Sequence, residues 1–196
     1  MEDKNIKVLK LDVAKDFDGL QTFVNGKIPV VAYNERKANK PDRIRFTLLH
    51  ELAHLLLTFG DITEKQKEIL CHQFAGAMLL PDEAIIAELG AHRNKLSTLE
   101  LGNIKKQYGI SMQAIVMRAK SCGIINEHYT KQFFFFINQM NWKVDEPVEY
   151  RGVEESNRFR QLLFRALIEE QISMSKAASL TNQSLAEFKK EHQPMF

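Results

Sequence analysis

The run Arg43-Ile44-Arg45-Phe46-Thr47-Leu48-Leu49-His50-Glu51-Leu52-Ala53-His54-Leu55-Leu56-Leu57 has the composition of a helix that is apolar over most of its surface, yet it carries three polar side chains in its middle. His50 and His54 are four residues apart. In an α-helix that spacing places both imidazoles on one face, about 6 Å apart along the axis. They can converge on one metal ion at Zn–N distances of about 2.0–2.1 Å. Glu51 follows the first histidine and projects to the side of such a site, where a carboxylate can take a proton from a water instead of binding the metal. Phe46, Leu48, Leu49, Leu52, Ala53 and Leu55–Leu57 surround the three polar groups. Burying such groups is costly unless something satisfies them, and a metal with its water does so.

A catalytic zinc needs a third protein ligand and an open position. The next helical run supplies Glu64, Glu68 and His72, one turn apart from each other. Glu68 is favoured, giving two histidines and a glutamate, with His72 beside the metal or facing the transition state. Cys71 can bind zinc chemically, but its neighbours Leu70 and Phe74 mark a core thiol. For the oxyanion partner His72, His92, Tyr108 and Arg45 are all chemically able.

Outward from this helix, the N-terminal 40 residues carry strand signals. Leu20–Val24 and Ile28–Tyr33 flank Asn25-Gly26, a dipeptide suited to a tight hairpin. Pro29 suggests an open edge near the start of the second strand, where a substrate can add as a further strand. Asp42 reads as the N-cap of a helix to about Thr58, ended by Gly60. Thr63 with Gln66 forms a capping box for a helix to Leu80, stopped by Pro81. A short helix ends at Gly90, Ser97 with Glu100 opens another that closes near Gly109, and one more spans Ser111 to Gly123. A helix through Phe133–Phe136, read as a buried segment, ends before Trp142. Residues 143–152 read as a linker, and Asn157–Gln171 with Ser173–Lys190 as a helical hairpin. The expected organisation is a domain over 1–142, a linker over 143–152 and a helical extension over 153–196. The fold class is α+β, mostly helical, with a small N-terminal sheet.

Composition narrows the classes. Of 196 residues, 44% are hydrophobic and 27% charged, and the net charge is +2, which favours neither a nucleic-acid binder nor a polyanion-seeking surface. The two cysteines, Cys71 and Cys122, behind a polar N-terminus fit a reducing cytoplasm. No stretch approaches the roughly 18 apolar residues of a membrane span.

The run at 43–57, together with Glu68-Ile69-Leu70-Cys71-His72-Gln73-Phe74-Ala75-Gly76-Ala77-Met78-Leu79-Leu80-Pro81, resembles the ImmA/IrrE family of zinc metallo-endopeptidases. The likeness continues through Phe17-Asp18-Gly19, Ile28–Asn34, Tyr108-Gly109-Ile110-Ser111, Arg118, Ile137-Asn138 and Trp142, about two-thirds of the chain. The resemblance implies a zincin-like fold and one Zn²⁺ per chain, with Glu68, six residues before the Phe-Ala pair, as the third ligand beside His50 and His54. The chain departs from the family at His72, where relatives usually have asparagine.

The resemblance also implies a cytoplasmic enzyme, often tied to mobile elements or stress circuits, that cleaves or inactivates helix-turn-helix repressors. The partner expected is therefore a protein substrate of the repressor type, attacked through an activated water with Glu51 as general base. The alternatives are a catalytically weak, zinc-containing anti-repressor and a DNA-binding regulator. Ala177–Leu180 and Ser184–Phe188 loosely resemble a helix-turn-helix, but the second helix balances Glu187 and Glu191 against Lys189 and Lys190. It lacks the cluster expected for major-groove readout, so direct nucleic-acid binding is not expected.

Overall fold

A computed structural model describes residues 1–14, 17–37, 40–154 and 158–192. The chain divides into two compact units, Met1–Glu154 and Glu155–Phe196. The architecture is α+β, as expected, with 56% of residues helical and a small three-stranded sheet.

In the first unit, strands β1 (Lys7–Leu11), β2 (Gly19–Val24) and β3 (Ile28–Asn34) form one sheet in the order β1-β3-β2. β2 and β3 make the expected hairpin. Asn25 and Gly26 take φ values of 53° and 65°, and the Lys27 amide donates to the Val24 carbonyl. This is the positive-φ turn that matches strand twist, and asparagine and glycine tolerate it best. β3 is the central strand, not an edge: β1 pairs with it in parallel from Val30 onward, and β2 pairs with it antiparallel. Its apolar run Val30–Tyr33 is accordingly buried. Pro29 precedes the β1 pairing and so removes no donor from that ladder.

Helices α1 (Pro41–Leu56), α2 (Glu64–Leu79), α3 (Asp82–Leu89), α4 (Thr98–Tyr108), α5 (Met112–Ser121) and α6 (Glu127–Gln139) follow. Thr63–Gln66 and Ser97–Glu100 form the anticipated capping boxes. Asp42 is not the N-cap of α1. Lys40 occupies that position, Pro41 fills the first helical turn, and the Asp42 carboxylate turns inward to Lys105. α1 packs on α2, β2 and β3. The core gathers Leu80, Ile85, Leu101, Ile110, Ile115 and Ile137 from α3 to α6 and their flanks. Of the phenylalanine run only Phe133 is fully buried. Phe135 is 64% exposed, because consecutive helical residues are about 100° apart and four cannot all face the core.

Residues 143–152, read as a linker, lie within the first unit and are packed against it. Glu146 accepts hydrogen bonds from the Met112 and Gln113 amides, satisfying the start of α5. It also pairs with Lys105 at 2.8 Å, as does Asp42. All three side chains are almost wholly buried. Burial disfavours the Lys105 ammonium, but its hydrogen bonds to Asp42 and Glu146 outweigh that and hold its pKa above the usual lysine value. A buried charge left without partners costs several kcal/mol, so this triad pins the start of α1, α4 and the 143–150 segment to each other.

In the second unit, α7 (Arg158–Ile168), α8 (Met174–Leu180) and α9 (Leu185–His192) pack around Leu163, Leu167, Ala177, Ala178 and Phe188. The expected helix over Ser173–Lys190 is thus two helices. Asn182 takes φ 56°, and Ser184 and Glu187 cap the new start reciprocally. Asn157, the anticipated start of the first helix, lies outside the described residues. Among the described residues no single helix is long and apolar enough to cross a membrane. α2 and α3 are together long and apolar enough, but they are bent by 66°, with Cys71, Ala75, Leu79, Ile85 and Leu89 buried in protein.

Candidate metal centre

α1 and α2 build the site between them. Because α1 is helical throughout its apolar run, His50 and His54 emerge on the face turned to α2, and Glu68 meets them one turn after the Thr63 cap. The Nε2 atoms of the two histidines are 3.3 Å apart. Glu68 places Oε2 3.2 Å from His50 Nε2 and Oε1 3.3 Å from His54 Nε2. His50, His54 and Glu68 are the group among the described residues that could hold a metal ion.

The donor set fits zinc. Ligand atoms at zinc's usual distance of about 2.05 Å, in tetrahedral array, are separated by about 3.3–3.4 Å. The separation of the two histidine nitrogens matches that edge length, and each has a Glu68 oxygen at about the same distance. Burial, and next the nearby His72, hold His50 down at about 4, so its ring is neutral near pH 7, the form that offers a lone pair. Glu68 is half exposed, leaving a path from solvent.

Glu51 lies beside this group without belonging to it. Burial pushes its carboxyl up to about 7, with further contributions from Glu68 and Asp18. A carboxylate so placed readily accepts a proton near neutrality. The start of β2 closes over it. A Cβ added at Gly19 would stand 2.6 Å from Thr47 Cγ2 and 2.8 Å from Glu51 Cγ, so only glycine lets the strand come this close. Asp18, next to it, is held by Arg43 at 3.0 Å. Neither Asp18 nor Gly19 stood out as a site residue in the sequence. The signal available was their position immediately before a strand, inside the Phe17-Asp18-Gly19 likeness.

The remaining candidates separate cleanly. The His72 ring lies 4.5 Å from that of His50 and stacks on Phe46 at 5.8 Å, adjacent to the centre but outside the converging group. Cys71 is buried and pushed up to about 11, chiefly by burial, so it stays a thiol. Arg45 is committed elsewhere: it donates to the Tyr108 carbonyl and the Tyr150 hydroxyl and pairs with Glu154. The Tyr108 hydroxyl donates to Glu88. His92 sits exposed in the segment between α3 and α4. Of the four oxyanion candidates, only His72 is brought to the site.

No curated protein matches the chain. The family model for peptidase M78, the IrrE N-terminal-like domain, matches residues 1–120. That span includes α1, α2 and the start of β2, every element that shapes the centre. With this match over more than half of its length, the chain belongs to the ImmA/IrrE family of metallopeptidases.

Proposed function

We propose that this chain is a zinc-dependent endopeptidase that cuts a cytoplasmic protein of the repressor type. The observation that carries the reading is the convergence of His50, His54 and Glu68 to 3.2–3.3 Å of each other with Glu51 alongside. In this reading His50, His54 and Glu68 hold the metal. When bound there, zinc supplies Lewis acidity, polarising a carbonyl and bringing the pKa of water toward neutrality. Glu51 takes the proton of the attacking water and returns it to the leaving amine. His72, fixed by Phe46 and His50, faces the reacting carbonyl oxygen.

The substrate must be extended to expose one peptide bond. Because β3 is internal, strand addition falls to an edge strand, and of the edges β1 and β2 it is β2 whose first residue, Gly19, lies against Glu51. Gly19 sets the distance between that strand and the base. Gly19→Ala is expected to keep its zinc and lose about 10²-fold in kcat/KM, the scale of a 1 Å misplacement. Metal analysis beside steady-state kinetics checks this, and an unchanged rate removes β2 from the site.

Two things support the cellular setting: the family membership, with the resemblance to repressor-cleaving enzymes that it carries, and the free cysteines Cys71 and Cys122. The reading is tested by incubating the zinc-loaded chain with a purified helix-turn-helix repressor from the same genomic neighbourhood and analysing the products by mass spectrometry. A single internal cut, lost on chelation and restored by zinc, is expected. A repressor that stays intact yet leaves its operator indicates sequestration instead.

A further inference from the structure

A cavity of about 810 Å³ opens beside the metal centre, walled by α1, α2, α4, α5 and α6 with Lys143, Val144 and Glu146. This is within the range of roughly 300–1,000 Å³ typical of ligand-accepting pockets. Phe46, Ile69, Met117, Phe134 and Val144 give it an apolar lining, and His72 is the wall it shares with the metal centre. Ile69 and Met117 are 46% and 48% exposed, so two large apolar side chains face open space.

The charge around this lining is uneven. Among the described residues the wall has two carboxylates, Asp42 and Glu146, and both are consumed by Lys105 and, for Glu146, by the α5 amides. Lys40, Arg43, Lys120 and Lys143 also line it. The first three pair outward with Asp145, Asp18 and Glu127. Such exposed pairs are worth about 0–1 kcal/mol and exchange partners cheaply. The Lys143 ammonium has no partner among the described residues.

We propose that this cavity is the specificity pocket of the peptidase. It takes a large apolar side chain on one flank of the scissile bond and draws an acidic residue next to it onto the lysine and arginine rim. The proposal rests on the peptidase reading above. It follows from continuity, since His72 lines the cavity with its ring 4.5 Å from that of His50, and from the complementarity of an apolar wall under a cationic rim.

The test uses the zinc-loaded full chain and peptidyl hydroxamates, with the hydroxamate at either end of the peptide. The adjacent residue is Phe or Ala, and the next is Glu or Gln. Affinities are read by isothermal titration calorimetry. In one of the two orientations Phe is expected to bind at least about tenfold tighter than Ala, the scale on which an apolar pocket discriminates, and Glu tighter than Gln. Met117→Glu should remove both preferences while zinc content stays unchanged. Ile69→Glu on the opposite wall should do the same, so the result does not hang on one variant. Tight binding of every hydroxamate with no preference in either orientation overturns the pocket and leaves the peptidase reading standing; a cavity that serves a free small molecule would give this result. Failure of every hydroxamate to bind overturns the metal-centre reading itself.

Discussion

Glu51→Gln is expected to keep its zinc and to cleave about 10²–10⁴-fold more slowly than the native chain, the usual worth of a general base. The substitution preserves size and polarity and removes only the proton acceptor. Glu51 lies outside the group of converging donor atoms, so the metal loses no ligand. The loss should fall on kcat, because a substrate laid along β2 and into the cavity beside His72 is bound without help from this carboxylate. Metal analysis and single-turnover cleavage of the same preparation check both halves. An unchanged rate with full zinc removes Glu51 from the chemistry, and a rate that falls only as zinc is lost makes it a ligand.

The centre was legible in the sequence because its chemistry is local. His50, Glu51 and His54 occupy one helical turn, so helix geometry alone brings them near each other, while Glu68, on the next helix behind a capping box, joins them through the packing of α1 on α2. The hairpin was legible for the same reason, since Asn25-Gly26 sets its own turn. What escaped depends on contacts between distant residues. β1 carries Lys7 and Lys10, with Leu9 48% exposed, and becomes a strand only by pairing with β3. That pairing turns β3 from an apparent edge into the centre of the sheet and leaves β1 and β2 as the edge strands. Glu146 sits 41 residues from Lys105, in a stretch whose Pro147 and Gly152 suggest a connector, so nothing local reveals that it is buried. The approach of Gly19 to Glu51 is likewise a packing outcome. In the second unit, the alternative cap at Ser184 competes with helix continuation and wins.

Replacing a metal ligand has the largest effect expected anywhere in the chain. His50→Ala and His54→Ala each remove one of the three donors proposed to hold zinc, and both are expected to abolish the zinc content expected of the native chain. Cys71, a buried thiol pushed up to about 11, is no substitute for either histidine, and His72, adjacent to His50, lies outside the converging group. Retention of full zinc by both variants would exclude this site.

The sharpest measurement compares Glu68→Gln with His72→Asn by chelator competition for zinc. The geometry sets Glu68 oxygens 3.2 and 3.3 Å from the two histidine nitrogens and leaves His72 outside the group. Loss of a ligand should weaken zinc binding far more than loss of a neighbour, which typically costs about 10–100-fold. The account predicts that Glu68→Gln loses its metal and His72→Asn, which restores the residue usual in the family, keeps it. Zinc lost from His72→Asn and kept by Glu68→Gln would make the centre a three-histidine site and contradict the account.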